Sequence, residues 1–118
     1  MTALEYLQLS QKTLQDAEVL LARGDYHQAS EKFWGATAVI VKAIADQRGW
    51  PHGSHRELNR ALSRLAQEVG RRELIRSFGL ANALHTNFYE DWLTSEQVTE
   101  LAASVRELLE ELGPLVEA

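Results

Sequence analysis

Asp25-Tyr26-His27-Gln28-Ala29-Ser30-Glu31-Lys32-Phe33-Trp34-Gly35-Ala36-Thr37-Ala38-Val39-Ile40-Val41-Lys42-Ala43-Ile44-Ala45-Asp46-Gln47 is the stretch whose reading decides the fold. Ala29, Phe33, Thr37, Ile40 and Ile44 recur at helical spacing, and Trp34, Ala38, Val41 and Ala45 form a second stripe beside them. An arc this wide predicts a helix packed on more than one side, the central member of an all-α protein. Asp25 is its predicted N-cap, with Gln28 in capping-box position. Gly35 inside it costs about 0.5–1 kcal/mol against alanine, which close approach of a neighbouring helix would offset.

Upstream, Leu4, Leu7, Leu14, Ala17 and Leu21 place one face of a helix from about Ala3 to Arg23, ended by Gly24. Downstream, Arg48-Gly49-Trp50-Pro51-His52-Gly53 cannot continue a helix and reads as a connector. Ser54 with Glu57 is a capping box, opening a third helix with Leu58, Leu62, Leu65 and Val69 on one seam as far as Gly70. A fourth carries Leu74, Phe78, Ala81, His85, Phe88 and Trp92. Thr94 with Gln97 opens the last, whose stripe Val98, Leu101, Val105, Leu108 and Leu112 stops at Gly113-Pro114. Short connections between five helices predict an antiparallel, up-and-down bundle, folded as one domain over residues 1–118. Ala17 through Ala36 has the look of a tetratricopeptide turn, but no second unit follows.

The chain has no cysteine, which removes disulfides, thiolate nucleophiles and cysteine-bound zinc. Its first residues lack a basic segment followed by an apolar run, and no stretch is apolar enough to span a bilayer, so a cytoplasmic protein without membrane contact is expected. A net charge of −5 argues against attraction of nucleic acid by the whole surface. The charge is uneven, however. Arg60, Arg64, Arg71, Arg72 and Arg76 face only Glu68 and Glu73, whereas Glu90, Asp91, Glu96, Glu100, Glu107, Glu110, Glu111 and Glu117 oppose Arg106 alone. Two readings stand: solvated helix faces, or a strip of arginines touching phosphates.

Candidate chemistry centres on Leu84-His85-Thr86-Asn87-Phe88-Tyr89-Glu90-Asp91-Trp92. On a helix, His85 and Tyr89 share a face, while Asn87 points roughly 200° away from His85. Imidazole moves protons near neutral pH and donates hydrogen bonds to phosphate, so His85 is either a functional group or a histidine satisfied within the core. Tyr89 either joins a ligand or caps the bundle with its ring buried and its hydroxyl wet. His52 and His55 invite a metal reading, but no further histidine or cysteine completes a site, and no metal or cofactor is expected. The free amides at the helix start after Ser54 suit a phosphate instead, which makes His55 a ligand candidate. Lys32 and Lys42 sit near one side of the central helix, where Glu31, Lys32 and Trp34 either line a cleft or form a solvated face. Ser54 and Ser77 lack the setting of a hydrolase nucleophile.

Several phrases together resemble the PaREP family of small prokaryotic proteins, a branch of the HEPN helical-bundle superfamily. They are Gly24-Asp25-Tyr26, Glu31-Lys32-Phe33-Trp34-Gly35-Ala36, Val41-Lys42-Ala43, Ser54-His55-Arg56-Glu57-Leu58 and Leu84-His85-Thr86-Asn87-Phe88-Tyr89-Glu90, in a match running from about residue 14 to 112. The resemblance implies an antiparallel bundle that forms a homodimer and handles RNA or nucleotides, beside a nucleotidyltransferase partner in toxin–antitoxin systems. The superfamily's ribonucleases carry an arginine one to two turns before a histidine of the last core helix. Counted back from His85 that place falls near Leu80, and the nearest upstream cation on the helix is Arg76, roughly two and a half turns away. Arg48 and His55 have the spacing, but a Gly/Pro-rich connector separates them.

The leading expectation is therefore a non-catalytic bundle that dimerises and binds a partner protein or a nucleotide or RNA ligand, with His55, His85, Tyr89, Lys42 and Trp34 as ligand-binding candidates. The alternative is a metal-independent RNA endonuclease using His85, with Tyr89 or a cation from another chain in place of the missing arginine.

Overall fold

The computed structural model describes residues 1–116; Glu117, counted above in the acidic tail, lies outside them. Five helices follow one another: α1 (Ala3–Ala22), α2 (Tyr26–Arg48), α3 (His55–Val69), α4 (Glu73–Glu90) and α5 (Ser95–Leu112), closed by a 3-10 turn over Gly113–Leu115. Four of the five begin on a side-chain cap. Thr94 and Gln97 form a complete capping box, as do Thr2 and Glu5. Asp25 and Ser54 also accept the N–H three residues on, but the Glu57 carboxylate takes the Gly53 N–H rather than the Ser54 N–H. The box at α3 is thus rebuilt one residue further out.

One apolar cluster draws on every helix, with Phe33, Ile44, Leu62, Leu65, Leu74, Leu84, Val98 and Leu108 fully buried. Helix α2 contributes to it along its whole length, as the double stripe predicts. Against it α1 lies antiparallel: Ser10 donates its hydroxyl hydrogen to the Ala36 carbonyl at 2.7 Å, and a β-carbon built on Gly35 would meet Thr13 Cγ2 at 3.5 Å. That contact is the close approach expected of Gly35. Between them Gly24 takes φ +78°, a left-handed turn that glycine adopts without steric cost. Leu4, assigned to the buried stripe of α1, is exposed: it lies roughly 120° and 140° around the helix from the buried Ser10 and Ala17.

Helices α2 and α4 are antiparallel: Ser30 meets Asn87, Glu31 meets His85 and Trp34 meets Phe78. Helix α3 is different. Trp34 stacks on His55 while Arg48 pairs with Glu68, so α3 runs in the same sense as α2 and finds its antiparallel neighbour in α4. The connector over residues 49–54 makes this geometry. Gly49, at φ +71°, ends α2, and the segment then returns along the bundle, six extended residues covering roughly the 20 Å that fourteen residues of helix occupy.

The seam of α4 is buried at Leu74, Phe78 and Ala81, but it stops short of Trp92. Asp91 adopts the left-handed conformation at φ 51° and ends the helix, leaving Trp92 outside it and 65% exposed. Among the described residues no helix is long and apolar enough to cross a membrane.

Candidate functional site

The start of α3 and the second half of α4 converge on one residue of α2. Trp34 is buried to 5% exposure, held from within by Phe78 with ring centroids 5.4 Å apart. Its outer side carries two imidazoles. His55 stacks on it at 5.7 Å with 10° between planes, and His85 leans on it at 5.2 Å. The imidazoles stack on each other at 4.8 Å, and Tyr89 closes the group with its ring perpendicular to His85 at 5.3 Å. His85 is neither free nor lost in the core: it is half-buried, and its Nδ1 lies 2.9 Å from Glu31 Oε1.

That bond fixes the chemistry of the ring. A carboxylate only accepts, so Nδ1 carries the hydrogen and Nε2 holds the lone pair of the neutral imidazole. Glu31 and His85 are an orienting dyad. His55 is exposed at the first position of α3. Tyr89 is 71% exposed. The reading with its ring buried is corrected: Tyr89 lies one residue before the end of α4 and roughly 200° around the helix from the buried Asn87. The result is a ledge of stacked and edged rings open on its outer side.

The ring contacts continue beyond it, from Tyr89 to Phe88 at 5.3 Å and from Phe88 to His27 at 4.9 Å. His27 Nδ1 is shielded from solvent 3.5 Å from Asp91 Oδ1, without the geometry of a hydrogen bond. Asn87, set aside in sequence, is the most thoroughly used polar group of α4. Its Nδ2 donates to Ser30 Oγ at 3.0 Å, and its Oδ1 accepts the N–H groups of Trp92 and Leu93 at 2.9 and 2.8 Å. No sequence pattern marks this role, since it depends on how the chain turns after α4.

Trp34, His55, His85 and Tyr89 are thus brought together, and Lys42 is not. It lies half-buried on α2, roughly 16 Å along the helix from Glu31, with no hydrogen bond, ion pair or ring contact to the ledge among the described residues. Lys32 is exposed rather than part of a cleft. The position one to two turns before His85 is occupied by Leu80, itself on the surface, so no arginine of α4 reaches the imidazoles. No group of three or more histidine, cysteine, aspartate or glutamate side chains fit to hold a metal occurs among the described residues.

Fold and site together define a small helical bundle with a histidine–aromatic surface ledge. The chain belongs to the archaeal PaREP1/PaREP8 family, whose profile matches residues 5–109. Among solved structures it is similar to a crystal structure of a protein from Sulfolobus solfataricus. That likeness has a TM-score of 0.81 at 23% identity, over 92% of this chain and 96% of the other, and shows a shared fold. No curated protein matches the chain.

Proposed function

We propose that the chain is a non-catalytic, homodimeric binding bundle of the HEPN type, and that the ledge formed by His55, His85 and Tyr89 over Trp34 takes a nucleotide or RNA ligand. The observation that carries this reading is the open stack itself. Aromatic and imidazole planes hold unstacked bases, and imidazole N–H groups donate to phosphate. Glu31 sets the orientation of His85 before a ligand arrives, which lowers the ordering cost of binding. The missing cation at Leu80 favours binding over cleavage, because phosphodiester transfer develops negative charge that a ribonuclease must offset.

The test is titration of a nucleoside monophosphate and of a short single-stranded RNA, followed by tryptophan fluorescence. Loss of one stacked base contact is worth about 1–3 kcal/mol, so Tyr89→Ala and His55→Ala should each weaken binding roughly fivefold or more. Wild-type affinity in both variants ends the ledge reading. Sedimentation showing monomer alone at high concentration removes the dimer.

One observation favours a second reading. The Glu31–His85 pair has the form of an oriented general base, and His55 lies beside it. In a metal-independent ribonuclease His85 Nε2 would take the proton of the ribose 2′-hydroxyl as its oxygen attacks phosphorus. The departing 5′-oxygen would take a proton from charged His55, leaving a 2′,3′-cyclic phosphate and a 5′-hydroxyl. RNA cleavage equal in wild type and His85→Ala eliminates this reading.

A further inference from the structure

Of the nine arginines of this chain three are held in ion pairs among the described residues, Arg23, Arg72 and Arg76 stand elsewhere without one, and the remaining three form a group of their own. Arg48 pairs with Glu68 at 2.9 Å, Arg71 with Glu73 and Glu111 at 3.1 and 3.0 Å, and Arg106 with Glu18 at 2.6 Å. On α3, by contrast, Arg56, Arg60 and Arg64 are exposed and have no carboxylate partner among the described residues. They stand one helical turn apart in single file, like charges roughly 6 Å from one another along the axis, a spacing that destabilises a helix in isolation. Acids outnumber bases in the chain, 17 to 12, yet among the described residues no carboxylate forms an ion pair with this file. Glu57 lies beside it with its carboxylate turned to the Gly53 N–H, and Glu68 is taken by Arg48.

The file is also shaped. Arg64 sits over the Trp50 ring with its guanidinium carbon 4.5 Å from the centroid, which holds a long flexible side chain in one place. Beside it Trp50, Pro51, Glu57, Arg60, Ala61 and Arg64 line a cleft of about 300 Å³ with a largely apolar wall. On the other flank Arg56, Asn59, Arg60, Ser63, Arg64 and Gln67 line an open groove. The inner face of α3, carrying Leu58, Leu62 and Leu65, is spent on the core, and the arginine face is turned away from it. It begins next to His55, the outermost imidazole of the ledge.

We propose that the outer face of α3 is a track for the backbone of single-stranded RNA, with Arg56, Arg60 and Arg64 contacting successive phosphates and the Trp50–Ala61 cleft admitting one base. This rests on the ledge reading for its choice of ligand and extends it from a single nucleotide to a strand. The regular file of guanidiniums matches the repeating charge of a nucleic-acid strand. Arginine planes also stack on bases, which an acidic peptide does not supply.

The experiment is fluorescence anisotropy of a labelled ten-nucleotide single-stranded RNA between 50 and 200 mM salt, with Arg60→Gln/Arg64→Gln compared against wild type. Each phosphate contact to a single strand contributes about 0.7 to the slope of log affinity against log salt, so the double variant should flatten the slope by about 1.4 and weaken binding about tenfold or more at low salt. Lys12→Gln/Arg23→Gln removes the same charge from the α1–α2 hairpin and should leave the slope unchanged. A wild-type slope in the α3 variant, or equal flattening in the hairpin variant, overturns the track. So does displacement of the RNA by polyglutamate at equal charge, which assigns the face to an acidic protein. A nucleotide that binds wild type while the RNA strand adds no affinity also overturns the track but spares the ledge, whereas wild-type binding by Tyr89→Ala removes the ledge alone.

Discussion

Two faces of α4 within a single turn treat their polar residues in opposite ways. Asn87, 1% exposed, spends both ends of its amide on Ser30 and on the N–H groups of Trp92 and Leu93. His85, two positions earlier, spends one nitrogen on Glu31 and presents a stacked ring with a second nitrogen free of protein partners among the described residues. Inside the bundle an unpaired donor costs the full loss of hydration, so polar groups there are saturated by neighbours. At the margin water supplies the missing partner at no cost, and the same valence remains free for a ligand. Asn87 is therefore committed to the architecture while His85 keeps one nitrogen open at the surface, although both are polar and lie in the same motif.

Substitutions can break this contrast or sharpen it. The largest effect belongs to what lies beneath both faces: Trp34→Ala removes a buried aromatic and should destabilise the fold by about 3–5 kcal/mol in chemical denaturation. Phe88→Ala, at a half-buried ring, should cost less. Asn87→Leu comes next, expected to cost about 2–3 kcal/mol because Ser30 and two backbone N–H groups lose their partner; a loss below half of that would show water entering the site. His85→Ala should shift stability by less than about 1 kcal/mol, since the Glu31 pair is partly solvated, while removing ligand binding. If it destabilises as much as Asn87→Leu, the contrast between the two faces fails.

The smallest effect is a pH dependence. Hydrogen bonds from the Thr2 backbone and side chain hold the Glu5 carboxyl below its ordinary value in the folded chain. The unfolded state thus binds a proton first, and the capping contribution to stability, complete above the ordinary glutamate range, is lost as pH falls through the lowered value. Thr2→Ala should flatten the acid limb of the melting temperature slightly. An unchanged limb would show that the cap is not the source.

Much of the fold was legible because it is set by periodicity and caps. The double stripe of α2 is buried as its spacing requires, and Asp25, Ser54 and Thr94 open helices where their side chains can reach an N–H. The path of the connector was not legible. Proline and glycine announce a break but not its direction, and the parallel placement of α3 on α2 is set by contacts between distant residues, Trp34 with His55 and Arg48 with Glu68. Trp92 misled because a seam read by spacing has no stop signal when the residue that ends the helix is an aspartate in the left-handed region rather than a glycine. At the candidate site, the proximity of His85 and Tyr89 followed from one helix alone. The arrival of His55 and Glu31 did not, because contacts between residues so far apart in the chain depend on three helices packing at once. Lys42 stands apart from the ledge for the complementary reason: it lies about two turns further along α2 than Trp34.

The amide clamp at the end of α4 has a consequence for motion. Trp92 and Leu93 belong to a short surface link that would ordinarily open and close many times a second, yet their N–H groups end on a side chain sunk in the interior. Their deuterium uptake should be tied to cooperative opening of the α2–α4 contact rather than to local fraying, making a surface loop report on the innermost layer of the protein.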